Sequence, residues 1–371
     1  MTAGIHAPLP PAPSGVADYA ATLAEALRGR FEIVLNPDAD CDVELYHLGN
    51  NALHRVIYQR ALARPGAIVL HDAVLHHFLL GELNERQYIR EFVHNYGTWA
   101  ADQAADLWRN RARSAQDARY FRYPMLRRVA EASRKVIVHN PAAARMVKAH
   151  ATGADVVEIP HLHEPWGAPD AVEVVRLRQR LGVPQSAPLF GVFGYLRESK
   201  RLQVILRAFR EVRRAHPAAA LLIAGRFAST ELERAIEGLA AEEGVRRTGY
   251  LDAGKFRLYA AATDICLNLR WPAAGETSGI AIRMMGLGKA IVVTGGEETS
   301  RFPESICIRV DPGPGEQRML ADAMHWLAED RAARRELGRR AAAWITQNHS
   351  VAGCAGRYAA VLESLVGVTA G

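Results

Sequence analysis

The residues best suited to chemistry lie in one stretch, Asp264 to Thr294, which reads DICLNLRWPAAGETSGIAIRMMGLGKAIVVT. Glu276 is followed by Thr277, Ser278 and Gly279, so a carboxylate, two hydroxyls and open backbone N–H groups fall at the expected start of a helix running to about Leu287. Unpaired N–H groups and the helix dipole stabilise an anion at such a terminus. Glu276 is itself negative, so it suits the hydroxyl groups of the same ligand better than its phosphates. A sugar nucleotide offers both kinds of group. A second cluster, Arg197, Lys200 and Arg201, follows the apolar run Pro188 to Gly194 and could meet a diphosphate. Basic residues in a strand-to-helix turn are also often only solvated. The segment HDAVLHH supplies His71, Asp72, His76 and His77, yet a helix starting near Ala73 would point His76 and His77 in different directions. No metal site is expected there.

These groups need elements to position them. Strand-like and helical segments alternate along the chain, which predicts parallel sheets covered by helices on both faces. Expected strands in the first half are Gly4 to Ala7, Phe31 to Leu35, Val43 to Leu48, Ala67 to His71, Val136 to His139 and Val156 to Ile159. The region from Ala73 to Glu131 reads as largely helical, with Tyr88, Phe92, Tyr96 and Trp99 on an inward face. After Pro160 the segment HLHEPWGAPD is rich in turn formers and marks a hinge. The second sheet is expected from Pro188 to Gly194, Ala219 to Ala224, Arg246 to Thr248, Asp264 to Leu269, Ala290 to Thr294 and Ile306 to Val310. Helices beginning near Gln317, Arg331 and Val351 close the chain.

A chain of 371 residues is long for one core and comfortable for two. We expect domains at 1–165 and 166–350, with a helix at 351–371 packing back on the first. Cys41, Cys266, Cys307 and Cys354 show no metal-type spacing and read as reduced, the pattern of a cytoplasmic protein. No apolar run approaches the roughly 20 residues that cross a bilayer. The net charge of +6 is uneven, since the segment 109–148 is dense in Arg and Lys against only Asp117 and Glu131. It reads first as a solvated helical face and second as a peripheral contact with the inner face of an anionic membrane. Neither an aromatic-basic motif nor a finger pattern supports nucleic-acid binding. No G-x-G-x-x-G follows an early strand, which disfavours a nicotinamide dehydrogenase.

In this order, PLPPAPSGVADYA, VLHDAVLHH, VIVHNPAAARMV, VFGYLRESKRL, LLIAG and GETSG resemble the retaining nucleotide-sugar glycosyltransferases of family 4 over nearly the whole chain. The resemblance implies an α/β fold of two Rossmann-like, doubly wound domains facing across a cleft (GT-B). The C-terminal domain would bind the nucleoside diphosphate sugar and the N-terminal domain would shape the acceptor site. It implies Lys200 on the diphosphate, helped by Arg197 or Arg201, because Tyr195 stands where the family usually has an Arg. Glu276 would orient the donor sugar, and the Thr277, Ser278 and Gly279 amides would hold phosphate. His71 would stand at the reacting face. Gly15 matches the N-terminal glycine loop near the donor, although a helix start capped by Ser14 explains it too. Asp18, Tyr19, His47, Asn50 and Asp72 are the acceptor-side candidates. Met284 replaces the second glutamate, which puts ribose recognition in doubt, and a neighbouring Arg283 reads as an ordinary helix residue. Neither metal nor cofactor is implied. The acceptor would be a carbohydrate, lipid-linked or small-molecule hydroxyl. Rival readings are a degenerate binding or scaffold subunit, or a nucleotide-sugar epimerase or hydrolase on the same fold.

Overall fold

The computed structural model describes residues 1–167 and 169–366, so residues 367–371 of the expected final helix lie outside the described residues. The chain divides into two compact units. The first comprises Met1–Glu164, Pro272–Thr277 and the chain from His349 onward, and the second comprises Pro165–Trp271 and Ser278–Asn348.

The first unit is built on six parallel strands: β1 (Thr2–His6), β2 (Glu32–Leu35), β3 (Val43–Leu48), β4 (Ala67–Leu70), β5 (Lys135–Val138) and β6 (Val156–Glu158). Their order is β2-β1-β3-β4-β5-β6. Alternation across the pleat decides what each face buries. Tyr46, Leu48, Ile68, Leu70, Val136 and Val138 join one core, with Tyr88, Phe92 and Tyr120 from the covering helices. Leu45, Val69 and Ile137 join the other, with Tyr19 and Leu23 on one helix (Gly15–Leu27) and Tyr358 and Leu362 on another (Val351–Val366). The final helix is therefore part of the first unit's core. Between β4 and β5 the chain is helical as expected, but the first helix begins at His76: the Phe78 N–H, which would bond Val74 in an earlier turn, donates to Asn50 Oδ1 at 2.7 Å, and the first turn closes from Leu79 N to the Leu75 carbonyl at 3.0 Å. Trp99 departs from the expected inward face: it is 78% exposed.

The second unit repeats the plan with β7 (Leu189–Phe193), β8 (Ala220–Ala224), β9 (Val245–Gly249), β10 (Ile265–Asn268), β11 (Ala290–Thr294) and β12 (Ile308–Val310), in the order β12-β11-β10-β7-β8-β9. Phe190, Val192, Ile265, Leu267 and Val292 face one core. Leu189, Phe193, Cys266, Ile291 and Val293 face the other. The helix Leu202–Ala215 shows why sequence sets such packing: Leu202, Ile205, Leu206, Phe209 and Val212 recur at helical spacing and are all buried.

In an open parallel sheet the order reverses at one point, and ligands bind outside the carboxyl ends of the strands there. In the second unit that point lies between β7 and β10. In the first it lies between β1 and β3.

Candidate functional site

At the second unit's reversal point, β7 ends at Phe193 and the chain turns through Gly194, whose φ is 97°. Gly225, after β8, has φ 154°, and a Cβ there would stand 1.8 Å from the Gly194 carbonyl oxygen. Glycine is required to bring the two strand ends this close. Lys200 follows in a short 3-10 turn, Glu198–Lys200. Its ammonium is buried and donates to the Phe193 carbonyl at 2.7 Å, which holds the charge beside the end of β7. Arg201 adopts φ 58°, and its guanidinium is clamped by the buried Glu316 carboxylate. That ion pair occupies the fork expected on a diphosphate. Arg197 is exposed, with its guanidinium 5.2 Å from the centre of the Tyr195 ring.

Ser278 caps the helix Gly279–Gly286 by accepting from Ala281 N at 3.2 Å, and its hydroxyl donates to Asn268 Oδ1 at 3.2 Å. Arg270, just beyond β10, reaches the same hydroxyl with Nη2 at 3.2 Å. A guanidinium thus stands at the helix terminus for which the sequence suggested Glu276, Thr277, Ser278 and Gly279. Arg270 lies eight residues upstream in an irregular segment, which gives it no local signal; the next residue, Trp271, donates its N–H to the Ser199 carbonyl at 2.8 Å, tying that segment to the turn that carries Lys200. Met284, at the place of the second glutamate, is fully buried in the core and offers nothing to a ribose. A cavity of about 390 Å³ opens at the ends of β8 and β9, lined by Gly225, Arg226, Phe227, Arg247, Gly249 and Tyr250 among others.

Thr277 and Glu276 belong to the first unit. The loop that carries them is strapped to the ends of β4 and β5: Asn140 Nδ2 donates to the Gly275 carbonyl and to Thr277 Oγ1, both at 3.0 Å. Gly275 has φ 68°, and a Cβ there would meet Ala73 Cβ at 2.7 Å. One Glu276 oxygen accepts from Ala274 N at 2.7 Å, so the loop itself fixes the carboxylate.

His71 follows β4 and is 9% exposed. Its Nε2 shares a hydrogen bond with His47 Nδ1 at 2.9 Å, and the two rings stack with centroids 5.2 Å apart. His139 lies at 5.2 Å from His71, and Tyr19 packs edge-on against His71 at 4.8 Å. Burial, followed by the proximity of His139 and His47, pushes the His71 pKa well below the ordinary imidazole value. Burial likewise lowers His47 to about 3 and His139 to about 4. These rings are neutral at pH 7 and act through hydrogen bonds, not charge.

Two acceptor-side expectations are corrected. Tyr19 is 2% exposed with its hydroxyl 2.9 Å from that of Tyr358, so it is a core residue. His47 is fully buried behind His71 and cannot touch an acceptor. Asn50 is structural in part: its Oδ1 accepts from Phe78 N at 2.7 Å, and its own N–H donates to Asp72 Oδ2 at 2.9 Å. That bond draws Asp72 and Asn50 together beside His71. Asp18 is exposed one turn into its helix, and Gly15 is exposed at its start, where an added Cβ would meet nothing within 4 Å. Gly15 is free of any packing demand, and Ser14 caps the helix as expected. His76 bonds Tyr88 Oη at 2.7 Å and the Tyr123 carbonyl at 2.8 Å, while His77 faces Asn50 and the Ser114 carbonyl.

Residues 187–330 match the family described as glycosyl transferases group 1. No curated protein matches the chain by sequence. Solved structures share its two-domain GT-B fold. HepE from Anabaena, in complex with UDP and glucose, is 15% identical with a TM-score of 0.65, covering 98% of this chain and all of its own. Sucrose-phosphate synthase from Thermosynechococcus elongatus is 13% identical with a TM-score of 0.69, and both chains are covered in full. WaaG, a glycosyltransferase of lipopolysaccharide biosynthesis, is 12% identical with a TM-score of 0.61, again with full coverage of both.

Proposed function

We propose that this glycosyltransferase, with its group 1 domain at residues 187–330, moves a hexosyl group from a UDP-sugar to a hydroxyl acceptor with retention at the anomeric carbon. The observation that carries the reading is the gathering of Lys200, Arg270 and the Ser278-capped helix terminus at the reversal point of the second sheet. Two cations and open amides neutralise a diphosphate without a divalent ion. The nearby cavity is of a size to take a nucleoside, with Phe227 and Tyr250 as flat surfaces for a base. UDP is the favoured nucleotide because HepE has been solved with UDP and with UDP-glucose.

In the reaction, the bond between the anomeric carbon and the β-phosphate oxygen breaks and a bond to the acceptor oxygen forms on the same face. The acceptor's proton passes to the departing phosphate oxygen, so no separate carboxylate base is needed. Lys200 and Arg270 stabilise the charge that grows on the leaving group. Glu276, held by its own loop, accepts hydrogen bonds from sugar hydroxyls. His71 is neutral and its Nε2 is engaged by His47, so Nδ1 is the nitrogen left to meet a sugar or acceptor hydroxyl.

Several arginines in or packed against the 109–148 segment are matched within the first unit. Arg119 pairs with Asp106 at 2.8 Å and Asp117 at 2.7 Å, Arg127 with Glu131 at 2.7 Å, and Arg128 with Glu91. Among the described residues no helix is long and apolar enough to cross a membrane. These pairs favour a solvated face over a lipid contact, and a soluble hydroxyl acceptor is the simpler reading.

The test is a thermal-shift panel of UDP-, GDP-, ADP- and dTDP-sugars, followed by NMR assignment of the product anomer with candidate acceptors. A shift selective for UDP-sugars, lost in Arg270→Ala, supports the reading. No shift with any donor, or a product of inverted configuration, would refute it.

A further inference from the structure

Two helices of the second unit, Leu202–Ala215 and Glu316–Glu329, lie side by side and are tied at both ends. At one end Arg201 grips Glu316. At the other, His216 meets His325 and Glu329, which sit one turn apart on the second helix. The His216 and His325 rings are 5.6 Å apart, and His216 Nε2 lies 3.7 Å from Glu329 Oε1. One ligand atom from each of the three residues falls within 4.8 Å of the other two. His216 Nε2 is withdrawn from solvent and makes no hydrogen bond, an uncompensated polar atom that needs a partner.

Two imidazoles and a carboxylate are a donor set that zinc favours, and the i, i+4 spacing of His325 and Glu329 puts two of them on one helical face. Donors this close need only small side-chain rotations to converge on an ion at about 2.0 to 2.2 Å. We propose that His216, His325 and Glu329 form a site for divalent zinc, or a transition ion of similar chemistry, with water completing the coordination. Along the first helix the site stands roughly 22 Å from Arg201, at 1.5 Å per residue. It lies at the opposite end from the residues assigned to the donor. The ion is a structural clip that locks the carboxyl ends of the two helices together.

The experiment uses the untagged full-length chain, stripped with chelator, and zinc as the probe. Calorimetry is expected to show one equivalent bound, cobalt substitution to give a visible absorption band, and zinc at a hundredfold excess over Kd to raise Tm by about 5 °C or more. His325→Ala and Glu329→Gln should each abolish that equivalent, whereas His94→Gln, in the last turn of the first unit's helix Glu85–Tyr96, should keep it. Glu329 is two-thirds exposed, at 67%, so its replacement carries little risk to folding. Zinc binding that is absent in the wild type, or that persists undiminished in both variants, overturns the proposal.

Discussion

Lowering the pH from about 7.5 to about 5 should destabilise the first unit, and the reason is its buried imidazoles. His47, His54, His139 and His349 are all buried, and burial lowers their pKa values to about 3, about 4, about 4 and about 4. Tyr19, His71 and His161 pack around them, and no carboxylate is among the causes of these four shifts to favour the charged form. In the unfolded chain each would titrate near 6.5. Between the folded and unfolded values the unfolded state binds more protons, so stability is complete above about pH 6.5 and falls as the pH drops towards the folded pKa. At about pH 5 each group has cost about 2 kcal/mol, from 2.303RT for each pH unit below 6.5. Four groups give at most about 8 kcal/mol, comparable to the whole stability of an ordinary domain, about 5 to 15 kcal/mol. Urea denaturation at a series of pH values, with hydrogen exchange read peptide by peptide to separate the two units, measures the effect. His54→Gln keeps a donor for the His47 carbonyl, which His54 Nδ1 meets at 2.9 Å, and should recover about 2 kcal/mol of the loss. A first unit equally stable at both pH values would show that these rings are not the neutral, desolvated groups described.

Lys200→Met should lower kcat by tens to thousands of fold, the cost of about 2 to 4 kcal/mol for one lost transition-state contact; single-turnover kinetics with saturating donor checks it, and near-normal turnover would remove Lys200 from the donor site. Gly225→Ala should lower the stability of the second unit by more than about 2 kcal/mol, because its Cβ would overlap the Gly194 carbonyl; the urea midpoint reports it. Tyr19→Phe should cost about 1 to 2 kcal/mol by leaving the buried Tyr358 hydroxyl unpaired, yet leave kcat unchanged; a selective rise in the acceptor KM would return Tyr19 to the acceptor site.

The sheets were legible because their strands are buried on both faces. Val43–Leu48 and Ala290–Thr294 have the expected bounds: both are buried throughout, the first despite Glu44 and His47, and a turn former follows each. The charged strand Val245–Gly249 was found only in part, because it lies at a sheet edge where burial does not impose an apolar pattern. The start of the helix at His76 was not legible, because it is set by the Asn50 side chain, 28 residues upstream, which takes the Phe78 N–H.

Site residues divide along the same physical line. Ser278 and Lys200 announce themselves locally, one by the capping position and the other by the turn after an apolar strand. What each side chain is occupied with depends on partners that sequence does not align. Arg201 and Lys200 are neighbours, yet Glu316 occupies the first while the second is pinned beside the end of β7. Tyr19 and His47 had the right polarity for an acceptor, and the fold turned both inward, where they pack against His71. Arg270 reaches the helix terminus within the connection after β10, and the bond from Trp271 N to the Ser199 carbonyl ties that connection to the Lys200 turn. The double variant Lys200→Met, Arg270→Ala should therefore lose more donor affinity than either single change. Two cations acting on one diphosphate should show coupling of about 0.5 to 3 kcal/mol in a double-mutant cycle, and strictly additive losses would mean they serve different groups.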